Sequence, residues 1–176
     1  MTPETIPEYR LAQADEASIA ALLARCFTTD FGGRSYFQTR HTWRHVIRQD
    51  AMVIAHLAVQ LRAVRLGGRL LTVAGIADVA TDPNHRGNGL ASSLLQAALA
   101  EARRSPASHV LLFGTAGLYP AAGFRPISNP LWFLDLTGAR TNALCHHASG
   151  EHLQILDLTD QPWDDTERLD LLGGLF

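Results

Sequence analysis

Between Met52 and Thr81 the chain is dominated by apolar residues in three strand-like runs, Met52 to Gln60, Leu61 to Leu66 and Arg69 to Thr81. Gly67-Gly68 lies between the last two, the composition of a two-residue primed turn, so this stretch predicts an antiparallel meander. Upstream, Tyr9-Arg10-Leu11 predicts a first strand. Asp15 is placed as the N-cap of an amphipathic helix that carries Ile19, Leu22, Leu23 and Cys26 on one side. The segment from Phe27 to Asp50 is polar and rich in Arg, His and aromatic residues. Gly32-Gly33 reads there as a hinge and Tyr36 to Ile47 as a helix, together a flap on the substrate side. Downstream, Leu90, Leu94, Leu95, Ala98 and Leu99 form the stripe of a helix lying on a sheet, which Ser105-Pro106 ends. His109 to Phe113 suits a central parallel strand, and Gly114 to Ala122 leaves room for a turn or two of helix before Gly123. Leu131 to Leu136 and Leu153 to Leu158 predict late strands separated by a polar loop and followed by the acidic stretch Asp160 to Asp170. Strand, glycine turn, helix and strand in this order make a βαβ unit. The expected architecture is α/β (α+β) in one domain over residues 1–176, with a core at about 9–136 and a C-terminal strand and tail at 137–176.

Composition narrows the function. The chain has 176 residues, is 47% hydrophobic and 18% charged, and carries a net charge of −2. It has enough apolar surface for a real core and no long-range positive field for nucleic acid. No Lys/Arg run is interleaved with aromatic residues, so a nucleic-acid partner is not expected. No apolar stretch approaches the ~18 residues of a membrane span, and the N-terminal residues carry Glu4 and Glu8 where a signal sequence would be basic. Cys26 and Cys145 lack CxxC spacing and fit reduced thiols. These features predict a cytoplasmic protein with no membrane partner. Exposed late strands and the apolar end Leu171 to Phe176 permit a homodimer.

The run Thr81-Asp82-Pro83-Asn84-His85-Arg86-Gly87-Asn88-Gly89-Leu90-Ala91 joins a predicted strand to a predicted helix. Gly87 and Gly89 let the backbone turn so that several N–H groups point into one concavity, and the positive end of the helix dipole adds to them. A diphosphate fits such a cradle; the other reading is a tight βα turn that happens to contain two glycines. A Walker-type site is excluded because no Lys follows the last glycine. A dinucleotide site of the Rossmann type fails on its third glycine and on strand order.

Arg86-Gly87-Asn88-Gly89-Leu90-Ala91 resembles the R-x-x-G-x-G/A motif of the GNAT acyltransferase superfamily. Leu118-Tyr119-Pro120-Ala121-Ala122-Gly123-Phe124-Arg125-Pro126 is similar to that family's late block, in which a tyrosine shortly precedes Gly-Phe. The resemblance covers residues 9 to 136. Met52 to Val59 and the ending at Phe176 look like the branch that holds aminoglycoside 2'-N-acetyltransferases and nodulation-factor acyltransferases. The resemblance implies the GNAT fold, a mixed, mostly antiparallel central sheet flanked by helices. It implies a cleft between the strands ending near Thr81 and Phe113, with acetyl-CoA as co-substrate and no metal. The pantetheine would pair with the backbone of Val79, Ala80 and Thr81, and the diphosphate would sit on Arg86, Gly87, Asn88, Gly89, Leu90 and Ala91.

Acyl transfer from a thioester to an amine needs a neutral amine, a stabilised oxyanion and a proton for the thiolate. An alkyl amine of pKa ~10.4 is neutral in about one molecule in a few thousand at pH 7, a penalty of roughly 4 to 5 kcal/mol. Within the resemblance, a backbone N–H near Val79 to Thr81 serves the oxyanion and Tyr119 is the candidate acid; the other reading of Tyr119 is a ring packed beneath the sheet. Many relatives place a glutamate where this chain has Ala77, and Asp78 stands one step on. Period-two alternation points Asp78 to the opposite face unless a bulge re-aims it. Asp78 is thus a candidate base or substrate anchor, the alternative being an ion pair with Arg62, Arg65 or Arg69. His56 reads as a core histidine, and His41 and His45 stand four apart on one helix face, a spacing that suits a metal site or a polar flap equally badly without a third ligand. Asp30 corresponds to a carboxylate that relatives use to hold an amino sugar, and the carboxylate of Phe176 is expected in the same pocket. Asn142 to His147, where those relatives are acidic, favours a small-molecule amine that is more apolar and less cationic than an antibiotic. The expected activity is N-acetylation of a primary amine by direct attack in a ternary complex. The alternatives are a longer acyl donor or a non-catalytic acyl-CoA module.

Overall fold

The computed structural model describes residues 1–176. In chain order the elements are β1 (Glu4–Pro7), α1 (Gln13–Cys26), β2 (Trp43–Gln49), β3 (Met52–Leu66), β4 (Arg69–Thr81), α2 (Leu90–Arg104), β5 (His109–Phe113), α3 (Leu118–Ala121), β6 (Arg125–Pro126), β7 (Leu131–Asp135), β8 (Ala143–His147), β9 (Leu153–Asp157) and β10 (Leu169–Asp170). Short 3-10 turns cover Glu8–Arg10 and Pro83–His85. The strands form a mixed sheet flanked by helices, antiparallel except at the β4–β5 and β7–β10 pairs. The chain divides into two compact units, Met1–Gln60 with Ala77–Glu101, and Leu61–Ile76 with Ala102–Phe176.

In the first unit β2 is the middle strand of β1-β2-β3, pairing antiparallel with β1 from Glu4↔Val46 to Pro7↔Trp43 and with β3 from Trp43↔Val59 to Gln49↔Met52. The predicted face of α1 is the one observed, since Ile19, Leu22 and Leu23 are buried against Val46, Val53 and Ala80. On α2 the stripe Leu90, Leu94, Leu95, Ala98 and Leu99 is likewise buried.

In the second unit the order is β6-β9-β5-β4-β3-β10-β7-β8. β5 pairs in parallel with β4 from Val73↔His109 to Ile76↔Leu112, as expected of a central strand. Its core gathers Val64, Leu71, Val73, Leu111, Ile155 and Leu171. The Gly67-Gly68 turn forms, and Gly67 takes the positive φ (+54°) that a primed turn needs at its first position.

Several local expectations are corrected. The first strand is Glu4–Pro7, while Tyr9 lies in the 3-10 turn and is 82% exposed. The N-cap of α1 is Ala12, with no side-chain cap; Asp15 sits in the first turn, where the helix dipole favours it, and binds Arg48 at 2.9 Å. Met52–Leu66 is one continuous strand. No helix spans Tyr36 to Ile47: Trp43–Gln49 is strand β2, because Arg44 and His45 are buried and held by partners far away in sequence. Residues 143–147 are not loop but strand β8, whose His146 stacks on Trp132 and whose His147 meets Phe133 edge-on across the pair. No helix is long and apolar enough to cross a membrane.

Candidate functional site

In the first unit, β4 leads into α2 through a turn whose parts are fixed one by one. Asp82 caps the 3-10 turn by accepting from the Asn84 N–H at 3.0 Å, and Arg25 binds its carboxylate at 3.0 Å. That N–H, reinforced by Arg25 and His85, holds the Asp82 carboxyl below the usual carboxylate range. The Thr81 carbonyl receives Arg86 Nε at 3.2 Å and Cys26 Sγ at 3.4 Å. Gly87 and Gly89 follow at φ +78° and +73°, and a β-carbon at either would meet nothing within 4 Å. Glycine is needed here for its backbone angle and not for space. The first bond back across the turn comes from the Ser93 N–H to the Gly89 carbonyl at 3.0 Å. The N–H groups of Leu90, Ala91 and Ser92 at the helix start are therefore oriented as an anion-binding terminus, the geometry a diphosphate requires.

The same unit holds a buried polar network. Arg44, with 0% exposure, donates from Nε and Nη2 to the two carboxylate oxygens of Glu8 at 2.7 and 3.2 Å, and from Nη1 to the Ser35 carbonyl at 2.6 Å. Burial pushes the Glu8 carboxyl up, but Arg44 and Arg40 outweigh it and hold it below its ordinary value. His56 is fully buried. Its Nδ1 donates to the Asp78 backbone carbonyl at 2.8 Å, and its Nε2 lies 3.3 Å from Arg44 Nη1. Burial first, and the Arg44 charge second, push its pKa down to about 3, so the ring is neutral and Nε2 accepts.

Asp78 stands at φ +50° within β4, an uncommon angle for a residue with a β-carbon, and the His56 bond pins it there. The carboxylate accepts from His41 Nε2 at 2.9 Å, and both side chains are nearly buried, at 11% and 6% exposure. Asp78 thus pairs with a histidine and not with the hairpin arginines. His41 is a partner of Asp78 that sequence reasoning did not connect with it. It lies 37 positions away with no local signal. Asp30 is exposed at the start of that segment, its carboxylate accepting from the Gly32 N–H at 2.6 Å.

In the second unit Tyr119 is buried in α3, its ring edge-on to Phe124 at 6.1 Å. A β-carbon at Gly114 would come within 2.8 Å of the tyrosine ring. Gly114 is fixed from both sides, since its carbonyl accepts from Gln154 Nε2 and its N–H donates to the His152 carbonyl. Burial raises the Tyr119 hydroxyl, keeping it protonated at neutral pH. Beside Gly114, a cavity of about 360 Å³ is lined by Phe113, Leu131, Phe133 and Leu175, with Glu151 and His147 contributing polar groups. The Phe176 ring occupies the place a side chain at Gly75 would fill, and Arg62 lies over it at 4.1 Å.

Residues 8–127 match the family model described as Acetyltransferase (GNAT) domain. The fold is similar to that of a GCN5-related N-acetyltransferase from Anabaena variabilis, at 25% identity over 72% of this chain and a TM-score of 0.59. The chain spans about a third of that protein's length, 32%. It is similar along most of its length to the GNAT family N-acetyltransferase YhbS from Escherichia coli, solved in complex with CoA, at 23% identity over 97% of this chain and 90% of that one, with a TM-score of 0.65. A GNAT family acetyltransferase from Brucella melitensis in complex with acetyl-CoA is similar at 19% identity over 95% and 94% of the two chains, with a TM-score of 0.60. No curated protein matches the chain in sequence.

Proposed function

We propose, from the premise that the chain belongs to the GNAT acetyltransferase family, that it transfers an acetyl group from acetyl-CoA to the primary amine of a small, largely apolar molecule. The observation that carries this reading is the turn from Thr81 to Ala91, with Gly87 and Gly89 at positive φ ahead of the α2 N-terminus. In it the diphosphate takes backbone N–H groups of residues 87–91, Arg86 adds charge, and the backbone of Val79 to Thr81 pairs with the pantetheine arm.

The chemistry follows from the groups available. The amine nitrogen attacks the thioester carbonyl carbon, a backbone N–H stabilises the oxyanion, and the carbon–sulfur bond breaks as the oxyanion collapses. Tyr119 supplies the proton to the departing thiolate. Transfer from a free phenol of pKa ~10 to a thiolate of pKa ~8.5 is uphill by about 2 kcal/mol, and burial of Tyr119 makes the phenol a weaker acid still. The role therefore requires the thiolate to be poorly solvated as it leaves. Asp78 anchors the side of the site that handles the amine proton. The apolar character of the acceptor rests on Asn142 to His147, where relatives of the aminoglycoside type are acidic. The finer likeness to the aminoglycoside and nodulation branch rests on Met52 to Val59 and the ending at Phe176, and brings Asp30 and Phe176 as candidate acceptor contacts.

Ala77, buried where many relatives carry a glutamate, favours a second reading, a module that binds acyl-CoA without turning it over. Isothermal titration with acetyl-CoA followed by thiol release across a panel of amines separates the two. Binding with amine-dependent release supports the enzyme, binding without release supports the module, and absence of binding refutes both. Gly89→Asp should abolish coenzyme binding with the fold intact, because it sets a negative charge against the diphosphate. Tyr119→Phe should lower turnover and leave coenzyme affinity unchanged.

A further inference from the structure

Two observations at one side chain stand outside the roles assigned so far. His41 Nε2 is engaged by Asp78 at 2.9 Å, while His41 Nδ1 is buried and has no hydrogen-bond partner at all. A carboxylate only accepts, so the bonded proton sits on Nε2, and Nδ1 carries a bare lone pair when the ring is neutral. A buried nitrogen left without a partner is costly, and such atoms are uncommon unless a ligand or ordered water completes them. The apparatus that presents it is also strained, because Asp78 holds a positive φ that the His56–carbonyl bond maintains. A strained residue, pinned from behind by one buried histidine, aims its carboxylate at a second buried histidine whose far nitrogen is vacant. This is the orientation logic of a base and its orienting carboxylate.

From this geometry we infer that His41 Nδ1 accepts the proton of the incoming ammonium and that Asp78 acts through it as a positioning residue. The inference rests on the acetyltransferase reading and names the base which that reading lacks at Ala77. The ammonium gives one proton to His41 Nδ1, leaving a neutral amine and an imidazolium paired to Asp78. The nitrogen lone pair then attacks the carbonyl carbon. The second proton leaves nitrogen as the amide forms and replaces the one Tyr119 gives the thiolate. His41 returns its proton to solvent, so the ammonium's two lost protons end as one on the coenzyme thiol and one in water. The charged and titratable groups that act on His41 are Asp78 on β4, His56 on β3 and Glu8 on the 3-10 turn.

The test separates proton transfer from packing by varying the acceptor. 2-Phenylethylamine is an ammonium at neutral pH, whereas 2,2-difluoro-2-phenylethylamine has the same shape and is far less basic. His41→Gln is expected to lose on the order of 10²- to 10⁴-fold in kcat/KM with the first amine and less than about tenfold with the second, which needs little help to be neutral. Asp78→Asn should show a smaller loss in the same direction, and acetyl-CoA affinity should be unchanged in both. Equal losses with both amines, or none, overturn the inference. A second arm does not depend on turnover or on the variants folding: ¹⁵N-histidine spectra of the wild-type protein loaded with CoA, titrated with 2-phenylethylamine. The His41 Nδ1 resonance should shift, and a silent titration overturns the inference. A protein that binds acetyl-CoA and releases no thiol with any amine, yet shows the His41 shift, refutes the acetyltransferase reading and leaves the amine contact standing.

Discussion

Arg44 in the first unit and Arg62 in the second are both largely withdrawn from water, and the two are treated in opposite ways. Arg44 in the first unit faces both oxygens of Glu8, the Ser35 carbonyl and His56, so its charge is matched donor by donor. Arg62 in the second unit lies on the Phe176 ring, donates to the Gly174 carbonyl at 2.6 Å and leaves Nε without a partner. Burial pushes its pKa down to about 10. The first unit therefore fixes side chains in space by electrostatic pairing. The second unit is organised by packing, and there the charge is tolerated because its stem and guanidinium plane cover an aromatic ring.

Removing the guanidinium in the first unit should have the largest effect. Arg44→Met leaves Glu8 buried without its partner and is expected to cost about 3–5 kcal/mol in urea unfolding. A cost under about 1 kcal/mol would mean that Arg40 alone suffices for Glu8. In the second unit the equivalent disruption is steric. Gly75→Ala puts a methyl group where the Phe176 ring lies and should cost about 1–3 kcal/mol as the ring is displaced.

The neutral histidines give the first unit a pH signature. Burial lowers His45 to about 4, and burial with the Arg44 charge lowers His56 to about 3. In the unfolded chain both take protons below pH ~6.5. Stability is therefore fully present above that value and falls as pH drops toward about 4 and 3, by up to about 1.4 kcal/mol per unit for each ring. Melting temperatures from pH 7 to 4.5 should show this slope, and His45→Gln should remove half of it. The smallest effect is expected at Arg62→Met, within about 1 kcal/mol of wild type, because a charge without full compensation is exchanged for an apolar group of similar length. If Arg62→Met costs as much as Arg44→Met, the contrast between the two arginines fails.

The same contrast explains what the sequence disclosed. Helix α2, strand β5 and the Gly67 turn were legible because their signals are local: a 3.6-residue apolar stripe, a short apolar run, a glycine pair. The cradle was legible for the same reason, since its glycines sit within three residues of the helix they introduce. Strand β2 was not, because Arg44 and His45 occupy buried positions and break the alternation by which a strand is recognised. The residues that make them acceptable there, Glu8 and Thr5, are 36 and 40 positions away. Asp78 was legible as an acidic residue in an apolar strand, where it takes a positive φ. Its partner His41 was hidden behind the helical reading of the flap. Strand β8 escaped notice because it is largely exposed and held by ring stacking on β7 in place of an apolar pattern.

The Phe176 ring over Gly75 also sets a clock. During synthesis the face of β4 at Gly75 stays uncovered while about a hundred further residues are made, roughly 5–20 s at the usual pace of a ribosome. For that interval the middle of a core strand is open to whatever else is nearby. The second unit therefore closes this face of β4 only once its last residues have been made.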